Sequence, residues 1–175
     1  AVGKISTSGA ACTNCAAGKS AAVGTATNTC IVCEAGKISA LGAACADCAV
    51  GRWVAADASN GQTLCSKCEA GKSTAVSGQT SVTACVDCAV GKISISGGAC
   101  ADCPAGKSAS VGTVPKICIV CGAGKISAAG NVCVDCVVGR YVVTDPTHGQ
   151  ITCIECEAGK STDGSGKTLL SSCLD

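Results

Sequence analysis

Apolar and polar positions alternate only over short stretches of this chain, and no stretch has the 3.6-residue period of an amphipathic helix. In residues 37–45, for example, a strand-like run turns at Gly42 and returns to Cys45. Two longer segments have clearer turn signals, at residues 57–61 and 145–149. The pattern therefore predicts a series of short β-hairpins with little or no helix.

Cysteines recur between these predicted hairpins. Eighteen of the 19 cysteines form nine C-x-x-C pairs, and Cys173 stands alone. When the chain is shifted by 88 residues, every cysteine from 12 to 85 meets another cysteine, and roughly three positions in five are identical. The sequence is therefore organised as two superrepeats of five short repeats each, residues 1–88 and 89–175.

This segment is one cysteine short of two whole superrepeats, because residue 1 is equivalent to residue 89, which follows Cys88. We therefore expect the sequence to be a window of a longer repetitive polypeptide. In that case another cysteine precedes Ala1 and another follows Asp175.

Two disulfide schemes are compatible with the spacing. Pairing neighbouring motifs as modules uses them two at a time, so in a five-repeat superrepeat equivalent cysteines would have different partners. Linking the second cysteine of one motif to the first cysteine of the next preserves the 88-residue period, and we favour it, although spacing alone does not determine connectivity. The favoured pairs are Cys15–Cys30, Cys33–Cys45, Cys48–Cys65, Cys68–Cys85, Cys88–Cys100, Cys103–Cys118, Cys121–Cys133, Cys136–Cys153 and Cys156–Cys173. Cys12 is then left for a disulfide with a cysteine outside this segment.

Zinc binding and redox catalysis are the alternative uses of C-x-x-C motifs. The odd number of repeats weighs against a zinc array, as does the absence of a histidine in register. A redox C-x-x-C normally occurs once, at a helix N-terminus, whereas this chain has nine copies. We therefore expect no metal, no other cofactor and no enzymatic activity.

Composition and charge narrow the class further. Nineteen cysteines among 175 residues are typical of a disulfide scaffold in an oxidising, extracellular space. Thirteen basic against 12 acidic residues give a net charge of +1, which does not favour nucleic acid or an anionic membrane as a partner. No apolar stretch is long enough to span a bilayer. Aromatic residues make up only 1% of the chain, so a large core is not expected.

A Gly-Lys or Gly-Arg step follows each of the nine C-x-x-C motifs and occurs at the equivalent residues 3–4, which makes ten steps in register. A glycine fixed three residues after a cysteine indicates a positive φ or a close backbone contact, and the regular cations predict a charge ladder along the array. Seven acidic residues near the cysteines are its predicted partners: Glu34, Asp47, Glu69, Asp87, Asp102, Asp135 and Glu157.

Other residues that could take part in catalysis or ligand binding are interpreted as structural. The Gly-Lys-Ser triplets lack the upstream glycine of a phosphate-binding loop. His148, the only histidine, falls in a predicted turn, and Trp53 and Tyr141 are equivalent positions with one packing role. Abundant Ser and Thr leave O-linked glycans open as partners.

The recurring pattern Cys-x-x-Cys-x-Ala-Gly-Lys-x-Ser, as in residues 100–108, resembles the ephrin-receptor-like and TNF-receptor-like cysteine-rich repeats found in surface proteins of algae and other protists. The resemblance covers essentially the whole chain. It implies an elongated, solenoid-like extracellular rod of hairpins connected by a disulfide ladder.

Apolar faces without a large core, together with the integral repeat, favour burial against other copies of the chain. We expect a structural subunit of an extracellular filament or cell-surface fibre, such as a flagellar hair. The alternative is a membrane-anchored surface antigen or ligand-binding stalk ectodomain.

Overall fold

The computed structural model describes residues 2–6, 11–21, 29–111 and 117–175. These residues form two-stranded antiparallel hairpins in tandem. Their strands, in hairpin pairs, are β1 Lys4–Ile5 with β2 Thr13–Asn14, β3 Lys19–Ser20 with β4 Ile31–Val32, β5 Lys37–Ile38 with β6 Ala46–Asp47, β7 Arg52–Trp53 with β8 Ser66–Lys67, β9 Lys72–Ser73 with β10 Val86–Asp87, β11 Lys92–Ile93 with β12 Ala101–Asp102, β13 Lys107–Ser108 with β14 Ile119–Val120, β15 Lys125–Ile126 with β16 Val134–Asp135, β17 Arg140–Tyr141 with β18 Ile154–Glu155, and β19 Ser161–Thr162 with β20 Cys173–Leu174.

The only helical elements of the described residues are two single 3₁₀ turns, Val82–Ala84 and Leu170–Ser172. The predicted small, disulfide-rich hairpin fold is therefore confirmed. The strands are shorter than the sequence indicates, since each contains two residues. In β5, for example, the run that starts at Lys37 leaves the ladder after Ile38.

Each hairpin is built around its C-x-x-C motif. In nine of the hairpins the second strand is the pair of residues between the two cysteines, so the cysteines flank it directly. Cys48 is the second cysteine of its motif and directly follows β6. Its amide donates to the carbonyl of Gly36 at 2.8 Å, which extends the β5–β6 ladder to the Gly-Lys step. The motif thus places its two sulfur atoms at opposite ends of one short strand.

Successive hairpins are joined through the same Gly-Lys step. The amide of Gly36 donates to the carbonyl of Val54, just beyond β7 in the next hairpin, at 2.9 Å. Gly78, in the turn of the β9–β10 hairpin, donates to the carbonyl of Cys48 at 2.8 Å, two hairpins away. The β5–β6 hairpin therefore contacts the next hairpin and the one after it, as in a repeat protein in which stability comes from neighbouring repeats.

The sequence predicts that each glycine of the Gly-Lys step has a positive φ or makes a close backbone contact, and Gly36 does both. Gly36 has a φ of +81°, which only glycine adopts without strain. A Cβ at Gly36 would also overlap the carbonyl oxygen of Gly78. A glycine of the Gly-Lys or Gly-Arg step thus lies against a turn glycine two hairpins later, in the pairs Gly3 with Gly42, Gly18 with Gly61, Gly36 with Gly78, Gly91 with Gly130, Gly106 with Gly149 and Gly124 with Gly166.

The chain divides into two compact units. The first contains Ala1–Val86 and Ile95–Ala99, and the second contains Asp87–Ser94 and Cys100–Asp175. In the first unit a small apolar cluster is formed by Cys48, Val54 and Cys65, with Ile38 packed against it. Half-cystines and small side chains take the place of a conventional core.

Two surface turns have a depressed carboxyl pKa, and acidification is expected to open them. The carboxylate of Asp57 accepts hydrogen bonds from the amides of Ser59 at 2.9 Å and Asn60 at 3.2 Å, and these bonds lower its pKa below 3.8. Asp145 accepts equivalent bonds, with the same effect on its pKa. A pKa lowered in the folded state means that the turn is stabilised above the unfolded pKa and loses this stabilisation as pH falls through the folded pKa.

The protection factor of the Ser59 amide, which compares its measured exchange rate with the intrinsic rate at the same pH, should accordingly fall as the pH drops below 3.8. In Asp57→Asn the side-chain carbonyl preserves the turn without a titrating group, so the protection factor of the same amide should stay constant over this range. A pH response that persisted in Asp57→Asn would show that another group controls the turn.

Candidate functional site

Sulfur bridges connect every consecutive pair of hairpins in the described chain. The structure contains nine disulfides, and each links the second cysteine of one C-x-x-C motif to the first cysteine of the next or, for the last, to Cys173: Cys15–Cys30, Cys33–Cys45, Cys48–Cys65, Cys68–Cys85, Cys88–Cys100, Cys103–Cys118, Cys121–Cys133, Cys136–Cys153 and Cys156–Cys173. These are the pairs that preserve the 88-residue period. Because each motif bonds both forward and backward, the bridges form one continuous ladder.

Cys12 is the one cysteine outside the ladder; it is exposed and has a free thiol. The sequence assigns it to a disulfide with a cysteine outside this segment, and that assignment stays a prediction.

Cations of the Gly-Lys step face acids across the hairpins. Lys37 lies directly opposite Asp47 in the β5–β6 register, and their side chains form an ion pair with Nζ and Oδ1 3.1 Å apart. Lys125 and Asp135 form the equivalent pair at 2.9 Å, and Lys92 pairs with Asp102. All of these side chains are substantially exposed, so each pair contributes at most about 1 kcal/mol. The pairs follow from the register of the hairpins and add little to the stability of the fold.

Only some of the acidic partners predicted for the charge ladder are the ones that pair with its cations. Arg140 pairs with Glu155, the residue opposite it in β18, which the sequence analysis did not include. Glu34 and Glu69 instead provide main-chain carbonyls that accept from the amides of Lys37 and Lys72, both at 3.1 Å. A simple signal was available: the acid opposite the cation immediately precedes the second cysteine of a motif, as Glu155 does, or has the equivalent position, as Asp175 does 3.8 Å from Lys160.

His148, Trp53 and Tyr141 lie in a turn or at contacts between hairpins. His148 is 84% exposed and lies in the Asp145 turn, with its Nδ1 3.5 Å from the carboxylate of Asp145. Trp53 and Tyr141 make equivalent parallel bridges to the following hairpin, at Gln79 and Lys167. The described residues contain no cluster of three or more His, Cys, Asp or Glu side chains with the geometry to hold a metal ion.

An open apolar groove in the first compact unit is a candidate binding site. Its volume is about 520 Å³, and it runs along the β3–β4 hairpin. Exposed Ile31 and Val2 contribute to its lining, and Glu34 and Lys37 are its charged members. The remaining lining residues are Ser20, Ala21, Val32, Cys33 and Cys45.

The second compact unit contains the same groove, with a volume of about 380 Å³. Val90 replaces Val2 and Ile119 replaces Ile31, each shifted by 88 residues. Ser108, Ala109, Val120, Cys121 and Cys133 repeat the other positions in the same way, while Glu34 is replaced by Gly122. Sequence analysis did not identify this groove. The available signal was a set of exposed aliphatic positions conserved between the two superrepeats.

Large aliphatic side chains are also exposed outside the grooves. Among them, Leu64 and Ile95 are 73% and 79% exposed. Isolated exposed aliphatic residues such as these are ordinary, whereas aliphatic residues grouped in the two grooves of a chain with little core point to burial against other molecules. The grooves thus provide apolar contact surface.

No helix of the described ranges has the length and apolar character that a bilayer crossing requires. A search against models of known protein families gives no match, and neither does a comparison with curated proteins. The repeated hairpins and nine disulfides identify the chain as a tandem cysteine-rich repeat, and disulfides at this density are typical of secreted or extracellular proteins.

Proposed function

We propose that this chain is a structural subunit of an extracellular filament or cell-surface fibre, and that it assembles with copies of itself. The observation that carries the proposal is the pair of equivalent apolar grooves, one in each superrepeat. Two equivalent contact surfaces on one subunit make its interactions multivalent, which favours an extended assembly over a single complex.

Charge and composition support copies of the same chain as the partner. With a net charge of +1, close approach of two copies meets little repulsion. Ile31 and Ile119, both more than 60% exposed, offer apolar surface that association would remove from water. The dense disulfide ladder suits an oxidising extracellular space, where filaments such as flagellar hairs need covalent resistance to unfolding.

The finer assignments belong to the same proposal. We assign the repeats to the ephrin-receptor-like or TNF-receptor-like type because of the recurring Cys-x-x-Cys-x-Ala-Gly-Lys-x-Ser pattern. Exposed Ser and Thr side chains are available for O-linked glycans. The function that we propose is mechanical.

Negative-stain microscopy of the purified chain tests the proposal. Filaments with an axial repeat set by one or two superrepeats are the expected result. Dispersed single particles at every concentration would contradict it.

Removing the apolar character of the grooves is expected to reduce assembly. In the double variant Ile31→Asp/Ile119→Asp a charge replaces an exposed isoleucine in each groove, so the folded chain should retain its stability while association becomes unfavourable. Leu64→Asp is the matched control, since Leu64 is similarly exposed but lies outside both grooves. Light scattering should show at least a tenfold higher threshold concentration for the groove variant, with the control unchanged. Equal thresholds would show that the grooves take no part in assembly.

A second candidate, a ligand-binding ectodomain, is favoured by the volumes of the grooves. Values of about 520 and 380 Å³ fall within the range of small-molecule sites, about 300–1,000 Å³. This candidate predicts a monodisperse chain that binds two equivalents of an apolar fluorescent probe. The Ile31→Asp/Ile119→Asp variant would then lose probe binding without any change in its mass by light scattering.

A further inference from the structure

The β7–β8 hairpin has two cations at positions where the second superrepeat has an ion pair. Arg52 lies directly opposite Lys67 in the register of this hairpin. Their counterparts 88 residues later, Arg140 and Glu155, also lie directly opposite each other and form an ion pair. The first superrepeat thus has a lysine where the second has a glutamate, so both members of the pair are positive.

The two cationic side chains share one face of the hairpin. In the second superrepeat the guanidinium of Arg140 contacts the carboxylate of Glu155, so side chains at these two positions reach each other across the ladder. Arg52 and Lys67 have the same register, which places them on the same side. Lys67 is exposed and Arg52 is half-buried, and no carboxylate of the described residues forms an ion pair with either of them.

Lys67 has the position that in other hairpins holds a carboxylate against a turn glycine. Asp47 has the equivalent position in the β5–β6 hairpin, and a Cβ at Gly78, in the turn two hairpins later, would lie 3.2 Å from its Oδ1. For the β7–β8 hairpin the corresponding glycine is Gly97, where a Cβ would lie 2.7 Å from Cγ of Lys67. The turn therefore confines the first carbons of the lysine side chain, which reduces the freedom that a bound ligand would have to remove.

The backbone that presents the two cations is held firmly. Val54, which follows β7, and Cys65, which precedes β8, are both buried in the apolar cluster that contains Cys48. The Cys48–Cys65 disulfide links this cluster covalently. The amide of Gly97 donates to the carbonyl of Cys68 at 2.9 Å, so the turn that confines Lys67 is itself attached to the end of β8.

Two like charges directly opposite each other on one face of a hairpin are destabilising. An anion bound between Arg52 and Lys67 would remove this repulsion and accept charge-assisted hydrogen bonds from both side chains. The guanidinium of arginine offers a planar fork for two oxygen atoms, and the ammonium of lysine adds a compact charge. A tetrahedral oxyanion has enough oxygen atoms to serve both groups at once.

We propose that Arg52 and Lys67 form a binding site for a sulfate or phosphate group, either as the free anion or as a substituent of an acidic glycan. The site goes beyond the proposed assembly function and does not depend on it. Because the net charge of the chain is only +1, the attraction is local to this pair and does not come from the field of the whole molecule. The second superrepeat has no such site at Arg140, since Glu155 already neutralises that cation.

Titration with sodium sulfate, followed by NMR at an ionic strength kept constant with sodium chloride, tests the site. The amide shifts of β7 and β8 should saturate in the unmodified chain, and Lys67→Gln should bind at least tenfold more weakly. Lys107→Gln is the matched control, because Lys107 lies opposite Val120 and its loss removes the same charge without breaking a pair of cations. Its affinity for sulfate should equal that of the unmodified chain. Shifts that do not saturate, or an equal loss in both variants, would overturn the proposal.

Lys67→Glu separates loss of the site from loss of the fold. This variant reproduces the arrangement of Arg140 and Glu155, so the hairpin should stay folded and Arg52 should form an internal ion pair. The NMR spectrum should retain its folded dispersion while saturable sulfate binding disappears. A folded Lys67→Glu variant that binds sulfate as the unmodified chain does would overturn the proposal.

A sulfated oligosaccharide distinguishes the two sources of the anion. If the site receives a glycan substituent, this probe should saturate the same β7 and β8 amides at a sulfate-group concentration at least tenfold lower than the inorganic anion requires. Equal affinity per sulfate group would assign the site to the free anion. In both cases Lys67→Glu should remove the binding, and oligosaccharide binding that survives unchanged in this variant would show that Arg52 and Lys67 are not the site.

Discussion

The double variant Cys48→Ser/Cys65→Ser is expected to lower the free energy of unfolding by about 5 kcal/mol. Its disulfide closes a sequence separation of 17 residues, and loss of that cross-link alone costs about 3 kcal/mol in the chain-entropy model. The remainder comes from burial, because both half-cystines pack in the cluster that contains Val54. Replacing buried sulfur with hydroxyl groups that have no partners there adds about 1–3 kcal/mol.

Cys156→Ser/Cys173→Ser is the matched control for this variant. Its disulfide spans the same separation of 17 residues, but only Cys173 of the pair is buried, and Cys156 is partly accessible to solvent. Denaturant unfolding under oxidising conditions should therefore show a smaller loss, of about 3–4 kcal/mol, which is the cross-link contribution with at most one buried hydroxyl. Equal losses in the two variants would show that the apolar cluster adds nothing to the free energy of unfolding. No loss in either variant would show that these disulfides do not stabilise the fold.

Gly36→Ala is expected to lower the free energy of unfolding by about 3 kcal/mol, mostly because the new Cβ would overlap the backbone of Gly78. Alanine at a positive φ costs about 1 kcal/mol, and the overlap of its Cβ with the carbonyl of Gly78 adds about 1–3 kcal/mol because the neighbouring atom is backbone and cannot rotate away. The affected contact joins two hairpins, so hydrogen exchange at Gly78 should accelerate together with the global loss.

Gly159→Ala separates the two contributions. Gly159 has a similar φ of +87°, yet a Cβ there would meet nothing within 4 Å. At a dilution at which the chain is monomeric, the loss should be about 1 kcal/mol, the conformational cost alone. Similar losses for Gly36→Ala and Gly159→Ala would mean that the packing of glycine against glycine contributes nothing to the stack.

The spacing of the cysteines determined much of what the structure contains. Because the 88-residue period favours a scheme with equivalent partners, it pointed to the pairs that the structure joins, such as Cys48–Cys65, without excluding modular pairing. The absence of helical periodicity and the Gly-Lys steps likewise predicted hairpins and glycines at positive φ. These properties are local or periodic along the chain, so they can be predicted from a single sequence.

The grooves and the contacts between hairpins were decided by the tertiary structure. Nothing in the pattern shows that Gly36 meets Gly78, since that contact depends on how far each hairpin is rotated against the hairpins that follow it. The opposition of Arg140 and Glu155 depends on a strand register set by the ladder, and the apolar groove at Ile31 depends on which faces the stacking leaves exposed. Sequence therefore determined the covalent framework and the backbone conformations it needs. The surfaces available for assembly arise only when the short hairpins stack, because two-residue strands are too short to specify by themselves which faces meet.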